Sequence, residues 1–264
     1  MHKKRIMFIF GTRPEAIKMA PVIDLVEKHS DIFTSIIVVT AQHREMLDQC
    51  LRLFAIKPDY DLSIMESNQT ITSIITKTIQ GFEEILLQER PDVVLVQGDT
   101  STAFAAALTS FCYKITVGHI EAGLRTFNIY NPFPEEMNRK LISSIAQLHF
   151  APTDTSVKNL ENEGVPRNSI FLTGNTVIDA LLSVAEKPYD LKKSGIDFKK
   201  GKKVILVTTH RRESFGSPMR SACEAIGKIA KKFGDNFTIV LPVHKNPQVS
   251  DVVHEILADV SDVI

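Results

Sequence analysis

The stretch IMFIFGTRPEAIKMAPVIDLVE, residues 6–27, decides the fold. Ile6–Phe10 is apolar throughout and too short for a helix, the pattern of a strand buried on both faces of a parallel sheet. Gly11-Thr12-Arg13 ends the run. Pro14 suits the first turn of a helix, and the following residues predict that helix to about Glu27. The same strand–turn–helix rhythm repeats outward. Strands are expected over Ile36–Thr40, Val93–Val96, Ile115–Val117, His149–Ala151 and Ile170–Thr173. Between them, Ile71, Ile74, Ile75, Ile79, Phe82 and Leu86 make one stripe of a helix from Ile71 to Leu87. Another helix is expected over Ser156–Glu163, with Thr153 or Asp154 as its cap and Gly164 and Pro166 as its stop. Alternating strands and helices imply a doubly wound α/β domain.

Charged, glycine-bearing residues 187–202 interrupt the rhythm. They divide the chain into an N-terminal domain, 1–186, a junction, and the start of a second domain, 203–264. There the alternation resumes with strand Val204–Thr208, helix Met219–Phe233, strand Phe237–Pro242 and helix Gln248–Val260. Two strands and two helices do not complete such a domain, so an incomplete second domain is expected. The 264 residues are 44% hydrophobic, with 31 basic and 31 acidic side chains. A balanced charge argues against a general nucleic-acid binder. Cys50, Cys112 and Cys223 stand far apart, without disulfide or metal spacing, and each is expected to be a small buried residue of a helix. The N-terminal apolar run is too short for a signal peptide or a membrane span, so a soluble cytoplasmic protein is expected.

In open parallel sheets, ligands bind outside the carboxyl ends of the strands. This chain places its unusual polar clusters there. Gly11 with Arg13 and Lys18 suits an anion at a helix N-terminus, or a plain turn with solvated charges. Asp99 is a catalytic carboxylate or the cap of the next helix. Glu121 follows a buried strand, where a carboxylate is functional or paired. Glu135 and Glu136 open a helix carrying Asn138 and Arg139, which the helix dipole alone would favour. His210-Arg211-Arg212 sets an imidazole beside two cations, or is a solvated charge run. His43, His119 and His244 also fall at expected strand ends, without metal-ligand spacing.

Taken in order, GTRPEAIKMAPV (11–22), TAQHREMLDQ (40–49), QGDTST (97–102), GHIEAGLRT (118–126), PEEMNR (134–139), TGNTVIDAL (173–181), THRRESFG (209–216) and PVHKNP (242–247) resemble the bacterial non-hydrolysing UDP-N-acetylglucosamine 2-epimerases. The resemblance implies two Rossmann-like domains in the B-type glycosyltransferase architecture. It implies interconversion of UDP-GlcNAc and UDP-ManNAc without an added redox cofactor, by elimination of UDP to 2-acetamidoglucal and re-addition. The product would supply a cell-surface polysaccharide. Asp99, Glu121, Glu135 and His210 match the acid/base or otherwise essential positions. Arg13, Lys18 and Arg139 match positions of substrate or diphosphate contact. Gln42, His43, Glu136, Arg211 and His244 lie in segments implicated in a second, regulatory UDP-GlcNAc site. Family members are usually homodimers; no nucleic acid or membrane is implied. Their later segments, a Ser-Gly-Gly stretch with paired glutamates and one ending Glu-Arg-Pro-Glu, do not occur here. That absence fits a truncated chain, which as it stands could be an inactive nucleotide-sugar-binding fragment. A hydrolysing epimerase releasing ManNAc and UDP is the enzymatic alternative.

Overall fold

The computed structural model describes residues 3–41, 44–66, 69–190, 195–196, 201–209, 216–243, 246–260 and 263, with backbone only at 44 and 45. The chain forms two compact units, Met1–Lys187 and Pro188–Ile264.

In the first unit the elements run β1 (Lys4–Phe10), α1 (Arg13–Lys28), β2 (Phe33–Val39), α2 (Arg44–Phe54), β3 (Tyr60–Asp61), α3 (Ile71–Glu89), β4 (Val93–Gln97), α4 (Ser101–Cys112), β5 (Thr116–Ile120), α5 (Glu135–Ile145), β6 (Leu148–Ala151), α6 (Asp154–Asn162), β7 (Ile170–Leu172) and α7 (Thr176–Ala185). The strands form one sheet in the order β3-β2-β1-β4-β5-β6-β7, with every pairing parallel. Strand order reverses between β1 and β4. In such a sheet the ligand crevice lies at the carboxyl ends on either side of that reversal.

β1 explains why its sequence is apolar throughout. Phe8 and Phe10 enter a core with Ala16, Met19 and Ile23 of α1 and Leu47 and Leu51 of α2. Met7 and Ile9 enter the opposite core, with Phe82, Ile85 and Leu86 of α3 and Ala103, Ala106 and Ala107 of α4. Both faces of the strand are covered by helices, so neither can be polar.

The second unit contains β8 (Lys203–Leu206), α8 (Ser217–Phe233), β9 (Phe237–Val240) and α9 (Pro247–Leu257). β8 and β9 pair in parallel, and Val263 makes a single parallel bridge to Ile239. Met219, Cys223, Ile226 and Ala230 of α8 pack with Val249, Val253 and Leu257 of α9 and Ile239 of β9.

Several expectations need correction. β5 runs to Ile120, whereas a strand ending at Val117 was expected. Gly118 and His119 therefore lie within the strand. Glycine fits because a Cβ at position 118 would stand 2.5 Å from Leu95 Cδ2 and 3.2 Å from Phe150 Cε2. It marks a close approach of neighbouring side chains, not a turn. His119 is fully buried, against the expectation of a strand-end position. Cys50 and Cys223 are buried as expected, but Cys112 is exposed. It closes α4, one turn past the buried Thr109 and Ser110. β3 had no apolar run to announce it, and α6 starts at Asp154, two residues before the expected Ser156, with Thr153 as its cap. Among the described residues no helix is long and apolar enough to cross a membrane.

Candidate active site

Where the strand order reverses, the loops after β1 and β4 are tied together by Glu15. Its side chain is buried in the first turn of α1. Oε2 accepts from the backbone N–H groups of Gly11 (3.1 Å) and Thr12 (2.8 Å) and from Thr12 Oγ1 (2.7 Å). Oε1 accepts from Thr100 Oγ1 at 2.8 Å, in the loop after β4. Burial pushes the Glu15 carboxyl above its ordinary range, and these hydrogen bonds oppose that rise. Glu15 is thus a clasp beneath the crevice. Arg13, the first residue of α1, is exposed above it.

The loop after β5 supplies Glu121, held in the left-handed backbone region at φ 67°. Lys18, one turn into α1, reaches both of its carboxylate oxygens, at 2.8 Å and 2.6 Å. Asn175 donates from Nδ2 to Glu121 Oε2 at 3.0 Å. The same Asn175 caps α7 by accepting from the N–H of Val177. Sequence reasoning missed its second role; an asparagine before a helix signals only a cap. The loop then turns at Gly123, φ 87°, where a Cβ would lie 2.3 Å from the Ser156 carbonyl oxygen. Only glycine fits that backbone and that gap.

Asp99 is not the cap of α4. Thr100 is, accepting from the N–H of Ala103 at 3.0 Å. The Asp99 carboxylate instead meets Arg139 Nη2 at 2.6 Å. Arg139 Nη1 donates to Glu136 Oε2 at 3.1 Å. Glu136 is buried one turn earlier in α5. It also accepts the N–H groups of Thr126 and Phe127, both at 3.0 Å. Burial would raise its pKa, but those N–H groups and Arg139 prevail and hold it below the ordinary carboxylate range. The backbone around Asp99 is held as well. Asn138 Nδ2 donates to the Asp99 carbonyl at 2.8 Å, and His119 Nε2 to the Gly98 carbonyl at 2.7 Å. Glu135 is partly exposed at the start of α5, without an ion-pair partner among the described residues.

Of the residues singled out from sequence, the structure therefore joins Lys18 to Glu121, and Asp99 to Arg139 and Glu136. Gln42, His43, His210, Arg211 and His244 lie outside the described residues. Roles for Glu15, His119, Asn138 and Asn175 emerge only from the fold. The chemistry on view is two carboxylates, each against a cation, at the mouth of a parallel sheet. Such carboxylates suit proton transfer, and cations near helix starts suit a departing anion.

The family model for UDP-N-acetylglucosamine 2-epimerase matches residues 26–264. The chain belongs to the UDP-N-acetylglucosamine 2-epimerase family. An epimerase of that name from Yersinia pestis is 48% identical over 267 residues, covering 98% of this chain and 70% of its own length. The crystal structure of the Neisseria meningitidis UDP-GlcNAc 2-epimerase bound to UDP-GlcNAc matches with a TM-score of 0.85 and 48% identity, over 98% of this chain and 71% of that one. A Clostridium acetobutylicum relative, 51% identical, is covered over 66% of its length. The chain thus spans about two thirds of the length of the curated relatives it matches. A lipopolysaccharide outer core galactosyltransferase matches at TM-score 0.50 and 12% identity, a likeness of fold alone. The epimerase fold here is the glycosyltransferase-like α/β architecture read from the sequence.

Proposed function

We propose that this chain carries out reversible epimerisation of UDP-GlcNAc to UDP-ManNAc at C2. The observation that carries the proposal is the pairing of Glu121 with Lys18, and of Asp99 with Arg139, which sets one carboxylate–cation pair at the carboxyl end of β5 and one at that of β4. Family membership supplies the substrate. In the forward step a base removes the C2 proton, the C–H electron pair forms the C1–C2 double bond, and the C1–O bond breaks to release UDP as an anion. UDP then adds back to C1 of 2-acetamidoglucal while an acid returns a proton to the opposite face of C2. Inversion needs proton-transfer groups on both faces, and Asp99, Glu121, Glu135 and His210 are the proposed set. Arg13, Lys18 and Arg139 would hold the diphosphate and offset the charge it gains on leaving.

A second, regulatory UDP-GlcNAc site would draw on Gln42, His43, Glu136, Arg211 and His244. The Glu136 carboxylate is already engaged by Thr126, Phe127 and Arg139, so its part would be to hold the 126–127 backbone in place. The working setting is proposed as the cytoplasm, which suits three free cysteines. The working form is proposed as a homodimer supplying a precursor of cell-surface polysaccharide.

Incubation of the chain with UDP-GlcNAc, followed by separation of the nucleotide sugars, tests the proposal. UDP-ManNAc is the expected product, approached also from UDP-ManNAc as the starting material. Free ManNAc with UDP would instead select the hydrolysing reaction. Glu121→Gln should slow conversion by about 10²–10⁴-fold, the usual contribution of a positioned proton-transfer group.

A further inference from the structure

Asp99 is held from three sides by residues on two different elements. Arg139 of α5 engages its carboxylate at 2.6 Å, Asn138 of α5 its carbonyl at 2.8 Å, and His119 of β5 the preceding Gly98 carbonyl at 2.7 Å. Gly98 has φ 69°, so the chain turns sharply between β4 and Asp99. A turn in the left-handed region has no ladder partner for its carbonyl, and a neighbouring donor must supply one. His119 does so from inside the sheet. It is fully buried, in register beside His149 of β6, whose own Nε2 donates to the Ser143 carbonyl at 3.0 Å. Because a carbonyl only accepts, His119 must carry its proton on Nε2. Its Nδ1 is buried without a hydrogen-bond partner among the described residues, so the ring is committed to that one bond.

We infer that His119 and Asn138 are positioning residues, which together clamp the Gly98–Asp99 backbone and so aim the Asp99 carboxylate at the reacting carbon. The inference rests on Asp99 acting in the epimerisation proposed above. Neither residue needs to touch substrate. A misplacement of about 1 Å in a catalytic group can cost ~10²-fold in rate, so loss of one bond on the clamp is felt in turnover rather than binding.

The test uses the full chain and UDP-GlcNAc. His119→Gln keeps an N–H near the position of Nε2 and should retain kcat within about threefold. His119→Leu and Asn138→Leu should each lower kcat ~10–100-fold, with KM within about threefold. In an Asp99→Asn background, His119→Leu should cost less than about threefold further, because the group it aims is gone. A merely structural histidine would give the same loss in both backgrounds, and that multiplicative result would overturn the clamp. So would a folded His119→Leu variant with unaltered kcat, or one altered only in KM. A second measurement is independent of turnover: nitrogen-15 spectra of the imidazole rings should show His119 neutral with its proton on Nε2. A proton on Nδ1 would remove the donor to Gly98 and refute the clamp even in a chain without activity. Correct tautomer with no conversion by the unaltered chain would count against the epimerase proposal and not against the hydrogen bond.

Discussion

His119 makes the stability of this chain depend on acid in a calculable way. Burial pushes its pKa from the ordinary 6.5 down to about 3; His149 of β6, Arg125 of the β5 loop and Arg139 of α5 push the same way, and the bond to Gly98 pushes back. The unfolded chain binds a proton on this residue below pH 6.5, while the folded chain does not until about pH 3. Between those values the unfolded state holds more protons, so stability falls as pH falls. At pH 5 the linkage relation gives a loss of about 2 kcal/mol relative to pH 8, growing by ~1.4 kcal/mol for each further pH unit down to the folded pKa. His119→Gln has no titrating ring and should lose that share. Denaturant unfolding at pH 8 and pH 5 would measure it for both proteins. The drop between the two pH values should be smaller in the variant by about 2 kcal/mol. An equal drop in both would refute the argument, and would mean that His119 is protonated, or reached by water, in the folded chain.

Three further perturbations follow from the same region. Gly123→Ala must force a Cβ toward the Ser156 carbonyl at 2.3 Å with φ at 87°, whereas Gly118→Ala meets the movable end of Leu95. Thermal or denaturant unfolding should show about 2–4 kcal/mol lost in the first and about 1–3 kcal/mol in the second, and the reverse order would contradict the packing described. The Arg125 side chain is buried against Glu163 at 2.6 Å and donates to Ser143 Oγ at 2.9 Å. Removing the partially exposed Glu163 with Glu163→Leu leaves a buried guanidinium without its carboxylate, and unfolding should show a loss of about 2–4 kcal/mol.

Much of this was legible from the sequence because burial on both faces leaves a strand no freedom of composition. β1, β2 and β4 announce themselves for that reason, and each ends in polar residues where the helices no longer cover it. The positions of Asp99 and Glu121 follow from strand order alone. Their partners do not. Lys18 lies 103 residues before Glu121, and Arg139 lies well beyond Asp99, so periodicity carries no trace of either pair. Asp99 read equally as a helix cap until Thr100 was seen to take that role. His119 read as a strand-end polar residue because the apolar run stops at Val117. Its burial depends on the neighbouring strand, through Gly98 and His149, which a local window does not contain. Nothing in the local sequence singles out Glu15. Only the fold reveals that it binds two loops together.

The central claim is epimerisation through loss and return of the C2 proton, and proton NMR of the chain with UDP-GlcNAc in deuterated water tests it most directly. UDP-ManNAc signals should grow, with deuterium replacing hydrogen at C2 in both sugars and no accumulation of free ManNAc. A folded chain that binds UDP-GlcNAc yet leaves the C2 hydrogen unexchanged would contradict it.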